Sequence, residues 1–159
     1  TIDSSDVNAY LVEITGADVE GWKRNGDECI VRLQARVMGD YTMLVTYDRQ
    51  YPLPAADCAT IDRQAQVILV RRQNEVYAFA LSCPHENAAV KWLPRDNRFQ
   101  CSKHDSQYRP DGLHTSGRAT RNMDRFAVRL EGTSVVVNLE HWFQSDKDPS
   151  GWAAASIRL

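Results

Sequence analysis

The stretch on which the fold turns is Gln66-Val-Ile-Leu-Val-Arg-Arg72, then Gln73-Asn74, then Glu75-Val-Tyr-Ala-Phe-Ala-Leu-Ser82. Both flanks are rich in β-branched and aromatic residues, and the two residues between them suit a tight turn. The pattern predicts a β-hairpin over 66–82. A second hairpin is predicted downstream, with strands over 126–130 and 134–139 around Glu131-Gly132. Upstream, Cys29, Val31, Leu33, Ala35 and Val37 alternate with Arg32, Gln34 and Arg36, which predicts a half-buried strand over 29–37. Residues 42–47 read as its partner after a turn at Gly39-Asp40, and Tyr51-Pro-Leu-Pro54 then breaks regular structure and opens a loop carrying Cys58. Residues 1–27, punctuated by Gly16, Gly21 and Gly26, read as an irregular N-terminal segment. Residues 140–159 read as a C-terminal extension whose Trp142 and Trp152 cap the β-core. The fold class is all-β.

Composition narrows the rest. The chain has 159 residues, 43% of them hydrophobic, so it can bury a core as one compact domain with a small subdomain. Its formal charge is −2 with both signs well mixed, so it lacks the basic stripe of a nucleic-acid surface. Apolar runs such as 67–70 and 135–137 are too short to cross a bilayer.

The chemistry lies between the hairpins, in a loop-rich insert of about 82–122. It holds Cys83-Pro-His85 and Cys101-Ser-Lys-His104, each offering one thiolate and one imidazole. Soft thiolates suit iron–sulfur clusters and zinc, and imidazoles suit several first-row metals. A structural Cys₂His₂ zinc site is the competing reading, but zinc fingers place both cysteines in one knuckle and both histidines in the other. Here the two types are interleaved, which suits a pair of irons better than one zinc. Cys29 and Cys58 remain, either as a disulfide or as buried thiols. His114 and His141 lack ligand spacing, and Trp92 and Phe99 are read as packing the insert.

With these motifs, residues 66–139 resemble a Rieske protein. The resemblance implies an antiparallel β-sandwich spanning 28–139 with an inserted cluster-binding subdomain. It also implies a [2Fe-2S] cofactor held by Cys83, His85, Cys101 and His104. The second loop continues Asp105-Ser106-Gln-Tyr108, similar to the high-potential Rieske subunits of cytochrome bc and b6f complexes. Ser106 and Tyr108 are thereby implied as hydrogen-bond donors to cluster sulfurs, and such donors raise the potential. Three departures stand out. The loop-bridging disulfide of that type is missing, its positions being taken by Ala88 and Lys103. Glu86 replaces an apolar residue after the first histidine. Residues 116–120 replace a proline-rich loop. Glu86 and Lys103 are read as solvated charges.

The resemblance further implies one-electron transfer, as a subunit of a membrane-associated respiratory or photosynthetic complex passing electrons toward a c-type haem. A soluble ferredoxin feeding an oxygenase is the alternative. It leaves open whether the chain belongs to a quinol-oxidising enzyme complex. Implied partners are a c-type cytochrome and a cytochrome b/quinol donor. An extracytoplasmic location is expected, with membrane association through a complex or an anchor ahead of Thr1.

Overall fold

The computed structural model describes residues 2–3, 9–25 and 28–159, and its regular structure is almost entirely strand. The chain divides into two compact units, Thr1–Gln50 and Tyr51–Leu159.

The first unit contains β1 (Ile2–Asp3), β2 (Ala9–Thr15), β3 (Val19–Asn25), β4 (Glu28–Leu33) and the start of β5 (Leu44–Pro52). β4 lies between β1 and β3, and β2 pairs with β5, all antiparallel. Buried Ile14 and Cys29 pack with Trp22, Val31, Met43 and Val45.

Three expectations of secondary structure are corrected in this unit. The described residues among 1–27 lie mostly in strands, which the glycines punctuate: Val19 N–H closes a turn onto Gly16 O at 3.2 Å, and Gly21 sits at an irregularity of the β3–β4 ladder. Gly26 lies outside the described residues. The strand expected to reach Val37 ends at Leu33, whose partner Val19 is the first residue of β3, so the ladder runs out there. The strand after Gly39-Asp40 pairs with β2 and not with β4, both of whose edges are already taken. Cys58 is exposed and carries a free thiol, so the Cys29–Cys58 bridge is not made.

The second unit holds β6 (Cys58–Asp62), β7 (Val67–Arg72), β8 (Glu75–Ala80), β9 (Val90–Leu93), β10 (Arg98–Cys101), β11 (Gln107–Tyr108), β12 (His114–Ser116), β13 (Arg125–Glu131), β14 (Ser134–Phe143), the short helix α1 (Pro149–Ala154) and β15 (Ile157–Arg158). Its main sheet runs β6-β7-β8-β13-β14, with β15 also on β8. β7 and β8 pair from Val67↔Ala80 to Arg72↔Glu75, leaving Gln73-Asn74 as the turn. The second hairpin pairs from Glu131↔Ser134, and β14 extends past the expected end at residue 139 to Phe143.

The alternation along β7 and β8 organises everything else. Val67, Leu69, Val76 and Ala78 point to one face and pack with Phe126, Val135, Val137 and Ile157. Ile68, Val70, Tyr77 and Phe79 point to the other and pack against residues of the second sheet, whose order is β12-β11-β10-β9. Phe99 of β10 meets Phe79 edge-on at 5.8 Å between ring centroids and Trp92 at 4.7 Å. The subdomain is therefore seated on one buried face of the main sheet. Gly112, at φ +80°, lies so close that a Cβ there would collide with the Phe79 ring.

The C-terminal residues fold onto the same unit. Asp148 caps α1 by accepting from Gly151 N–H at 2.8 Å, and Pro149 starts the helix. Trp152 is buried and donates Nε1–H to Met123 O at 2.7 Å, whereas Trp142 is 53% exposed, so only one of the two tryptophans caps the core. Beneath Trp152 lies Arg125, 4% exposed. Its guanidinium sits 3.7 Å from the Trp152 ring centroid and 4.5 Å from that of Tyr77, and it donates to Trp152 O at 2.8 Å and Asp111 O at 2.7 Å.

Burial, followed by a hydrogen bond to Glu75, pushes the Tyr77 phenol up from 10.0 to about 12. The folded chain thus holds this proton more tightly than the unfolded one, and the stability it contributes is lost as pH rises from about 10 to about 12. Tyr77→Phe should flatten the fall in melting temperature over that alkaline window relative to wild type.

Candidate metal centre

The two motif loops are near copies of each other. Loop one leaves β8 and returns at Ala88, with Cys83 N–H donating to Ala88 O at 2.7 Å. Loop two leaves β10 and returns at Ser106, with Cys101 N–H donating to Ser106 O at 2.8 Å. In both, the residue before the return has a left-handed backbone: Asn87 at φ 54° and Asp105 at φ 54°. Asn and Asp tolerate that region better than most side chains, so the turn chemistry is written into each loop. Ser102 N–H donates to Ala89 O at 2.9 Å and ties one loop to the other through the main chain.

These turns bury the thiols and leave the imidazoles at the rim. Cys83 is 0% and Cys101 3% exposed, and both belong to the aromatic core cluster with Phe99 and Tyr108. The His85 and His104 rings are nearly perpendicular, with centroids 4.9 Å apart. The Nδ1 atom of each is buried without a hydrogen-bond partner. A buried imidazole nitrogen left without a partner is costly in a finished protein and suits a nitrogen that binds metal. Among the described residues, the one set of three or more ligand atoms within 4.8 Å of one another is His85, Glu86 and His104, and neither cysteine joins it. Four ligands closing tetrahedrally on one zinc would have formed a single such set; separate thiolate and imidazole ends fit two metals.

Both hydroxyls singled out in the sequence are completely buried. Tyr108 Oη lies 3.1 Å from Cys83 Sγ. Burial, and then its contact with Cys83, push the Tyr108 phenol far above its ordinary value, so it keeps its proton and can donate to sulfur. Ser106 Oγ accepts from Ala119 N–H at 3.0 Å and is hydrogen-bonded to Tyr108 as well. Ala119 is brought there by Gly117, at φ +92°, where a Cβ would strike the backbone of Ser106. Residues 116–120 thus form the lid over the second loop.

Sequence reasoning missed the supports behind the loops. Arg121 pairs with Asp124 at 3.0 Å and reaches Pro84 O at 3.5 Å. Asn122 Oδ1 accepts from His114 N–H at 2.9 Å, and Asn122 N–H donates to Ser145 Oγ at 3.1 Å. Nothing in local periodicity marks such residues: Arg121 has a near partner in Asp124, but Pro84 and Ser145, which tie the group to the rest of the unit, are remote in sequence.

Residues 42–138 match the family model of the Rieske [2Fe-2S] domain, which is more than half of the chain. The chain belongs to the Rieske [2Fe-2S] family. A Rieske domain binds a [2Fe-2S] cluster and serves in electron transfer. Similar sequences include the cytochrome b6-f complex iron-sulfur subunit of Chlorobaculum thiosulfatiphilum, 27% identical over 73 residues, covering 46% of this chain and 40% of that one. The chloroplastic subunit of Bigelowiella natans is 31% identical over 70 residues, covering 44% and 27%. Subunit 3 of Nostoc sp. is 31% identical over 65 residues, covering 41% and 35%. The match thus spans from 27% to 40% of the length of these relatives. Among solved structures, the cyanobacterial plasma membrane Rieske protein PetC3 from Synechocystis PCC 6803 is similar over 50% of this chain and 82% of its own, at 22% identity and a TM-score of 0.44. The buried thiols, the unpartnered Nδ1 atoms and the protonated phenol give this Rieske chain a donor set suited to its cluster.

Proposed function

We propose that Cys83 and Cys101 hold one iron of the cluster, that His85 and His104 hold the other through Nδ1, and that the protein transfers single electrons at the high-potential end of the Rieske range. When bound, the cluster supplies a one-electron couple between roughly −150 and +300 mV. The observation that carries the reading is the pair of buried, unpartnered Nδ1 atoms set at the rim beside the buried thiols.

The chain's own groups divide the remaining work. The loops keep water from the thiolates, and the imidazoles, which are partly exposed, offer the edge at which a partner can exchange an electron. Tyr108 donates toward Cys83 Sγ, and Ser106, hydrogen-bonded to Tyr108, places a second hydroxyl in the same buried space. Hydrogen bonds to sulfur favour the more negative, reduced form and so raise the potential.

The proposed setting is a membrane-associated electron-transport complex on the extracytoplasmic side, with a c-type haem as acceptor and a cytochrome b/quinol couple as donor. The names of the relatives, iron-sulfur subunits of cytochrome b6-f complexes, support it.

An EPR-monitored redox titration of the reduced protein tests the assignment. A rhombic signal of the mixed Cys/His type with a positive midpoint is expected; an EPR-silent, zinc-containing protein would refute it. Tyr108→Phe should lower the midpoint by on the order of 60 mV, the one-electron equivalent of about 1.4 kcal/mol. An unchanged midpoint would remove Tyr108 from the role.

A further inference from the structure

Glu86 is solvent-exposed, yet its carboxylate lies against both imidazoles. Its Oε1 lies 3.8 Å from His85 Nε2 and its Oε2 lies 3.2 Å from His104 Nε2. One carboxylate therefore spans the outward nitrogens of both rings. Among the described residues, no lysine or arginine ion pair involves Glu86, so its charge is not neutralised by a neighbouring side chain. The adjacent acid Asp105 is turned away and accepts from Gln100 Nε2 at 2.9 Å.

The tautomer of each ring gives this contact its meaning. A histidine that binds metal through Nδ1 carries its proton on Nε2, and that proton needs an acceptor. Glu86 Oε2 stands 3.2 Å from the outward nitrogen of His104, while 3.8 Å to that of His85 is too long for a hydrogen bond. Set against both outward nitrogens, the carboxylate acts through its charge, which makes the imidazoles better electron donors to the metal they would hold. It also keeps a negative charge beside a group that gains one more on reduction.

We propose that the Glu86 carboxylate, set beside the outward nitrogens of His85 and His104, acts through them as a positioning charge that holds the potential of the centre down, against the hydroxyls on the sulfur side. This rests on the ligand assignment given above. Tyr108 and Ser106 raise the potential from the buried end and Glu86 lowers it from the exposed end, so the net value is a compromise set by both.

The test is a charge-graded series, E86D, E86Q and E86K, in the full chain with its cluster, each titrated by EPR at a single neutral pH. The midpoint should stay near wild type in E86D, shift positive in E86Q and shift further positive in E86K, with the rhombic signal retained. The graded shift is a readout that a purely structural role would not give. A series whose midpoints coincide with wild type while the signal persists would overturn the role of Glu86 and leave the ligand assignment standing. Absence of the rhombic signal in the wild type would overturn both.

Discussion

Cys83→Ser should strip the protein of its visible absorption and its EPR signal altogether, while Cys58→Ser should leave both unchanged. Cys83 is completely buried and Cys58 is exposed, so the contrast separates a proposed ligand from an ordinary thiol. The loss should extend beyond the metal. No disulfide holds these loops, since Cys83 and Cys101 are both free thiols. The loops are held by the main-chain bond from Ser102 to Ala89 beside the β9–β10 ladder, by Arg121 at Pro84 O, by local packing and by whatever the loops grip. Metal binding and folding are coupled where the ligands come from otherwise loosely held loops. Hydrogen exchange over 83–88 and 101–106 should therefore accelerate in the serine variant while β7 and β8 stay protected. Uniform protection would show that the loops hold themselves.

Arg125→Met should destabilise the protein by roughly 3–5 kcal/mol, read as a lower urea midpoint. The guanidinium donates to the carbonyls of Trp152 and Asp111, and each charge-assisted bond is worth about 1.5–3 kcal/mol. It also lies against the Trp152 and Tyr77 rings, a contact that methionine fills without charge. Because Asp111 belongs to the subdomain, Tyr77 to the main sheet and Trp152 to α1, a single side chain joins three parts of the unit. Arg125→Lys should recover only part of the loss, since one ammonium cannot direct two donors at fixed angles while stacking on a ring. A variant as stable as wild type would show that the C-terminal residues are held by the apolar contacts of Trp152 and Ile157 alone.

The sequence makes the site easier to read than its supports. Cys83, His85, Cys101 and His104 stand at short, regular spacings, and the hairpins that flank them have strong β patterns. Short-range physics decides both. The N-terminal strands were hidden because Gly16 and Gly21, strong markers of loops, serve here as a tight turn and a ladder irregularity. The end of β4 was hidden for another reason: the alternation persists to Val37, but the partner strand begins at Val19 and pairs no further than Leu33. Periodicity reports which face a residue could bury, not whether a neighbour is present to pair with it. Glu86 shows a similar limit. Its carboxylate is solvent-exposed, as expected of a charge in a polar loop, but only the fold places the His104 ring beside it.

The alternation of β7 and β8 carries one more consequence. Since both faces of this pair are buried, neither can slip against its neighbours without exchanging the two cores. A single residue inserted within β8 would turn Tyr77 and Phe79 toward Val135 and Val137, and present Val76 and Ala78 to the ring of Phe99. The seat of the metal-bearing half would be lost without any ligand having changed. Length variation in this unit's central hairpin is thus confined to the turn at Gln73-Asn74, and the spacing from Glu75 to Cys83 is fixed as tightly as the spacing within the motifs themselves.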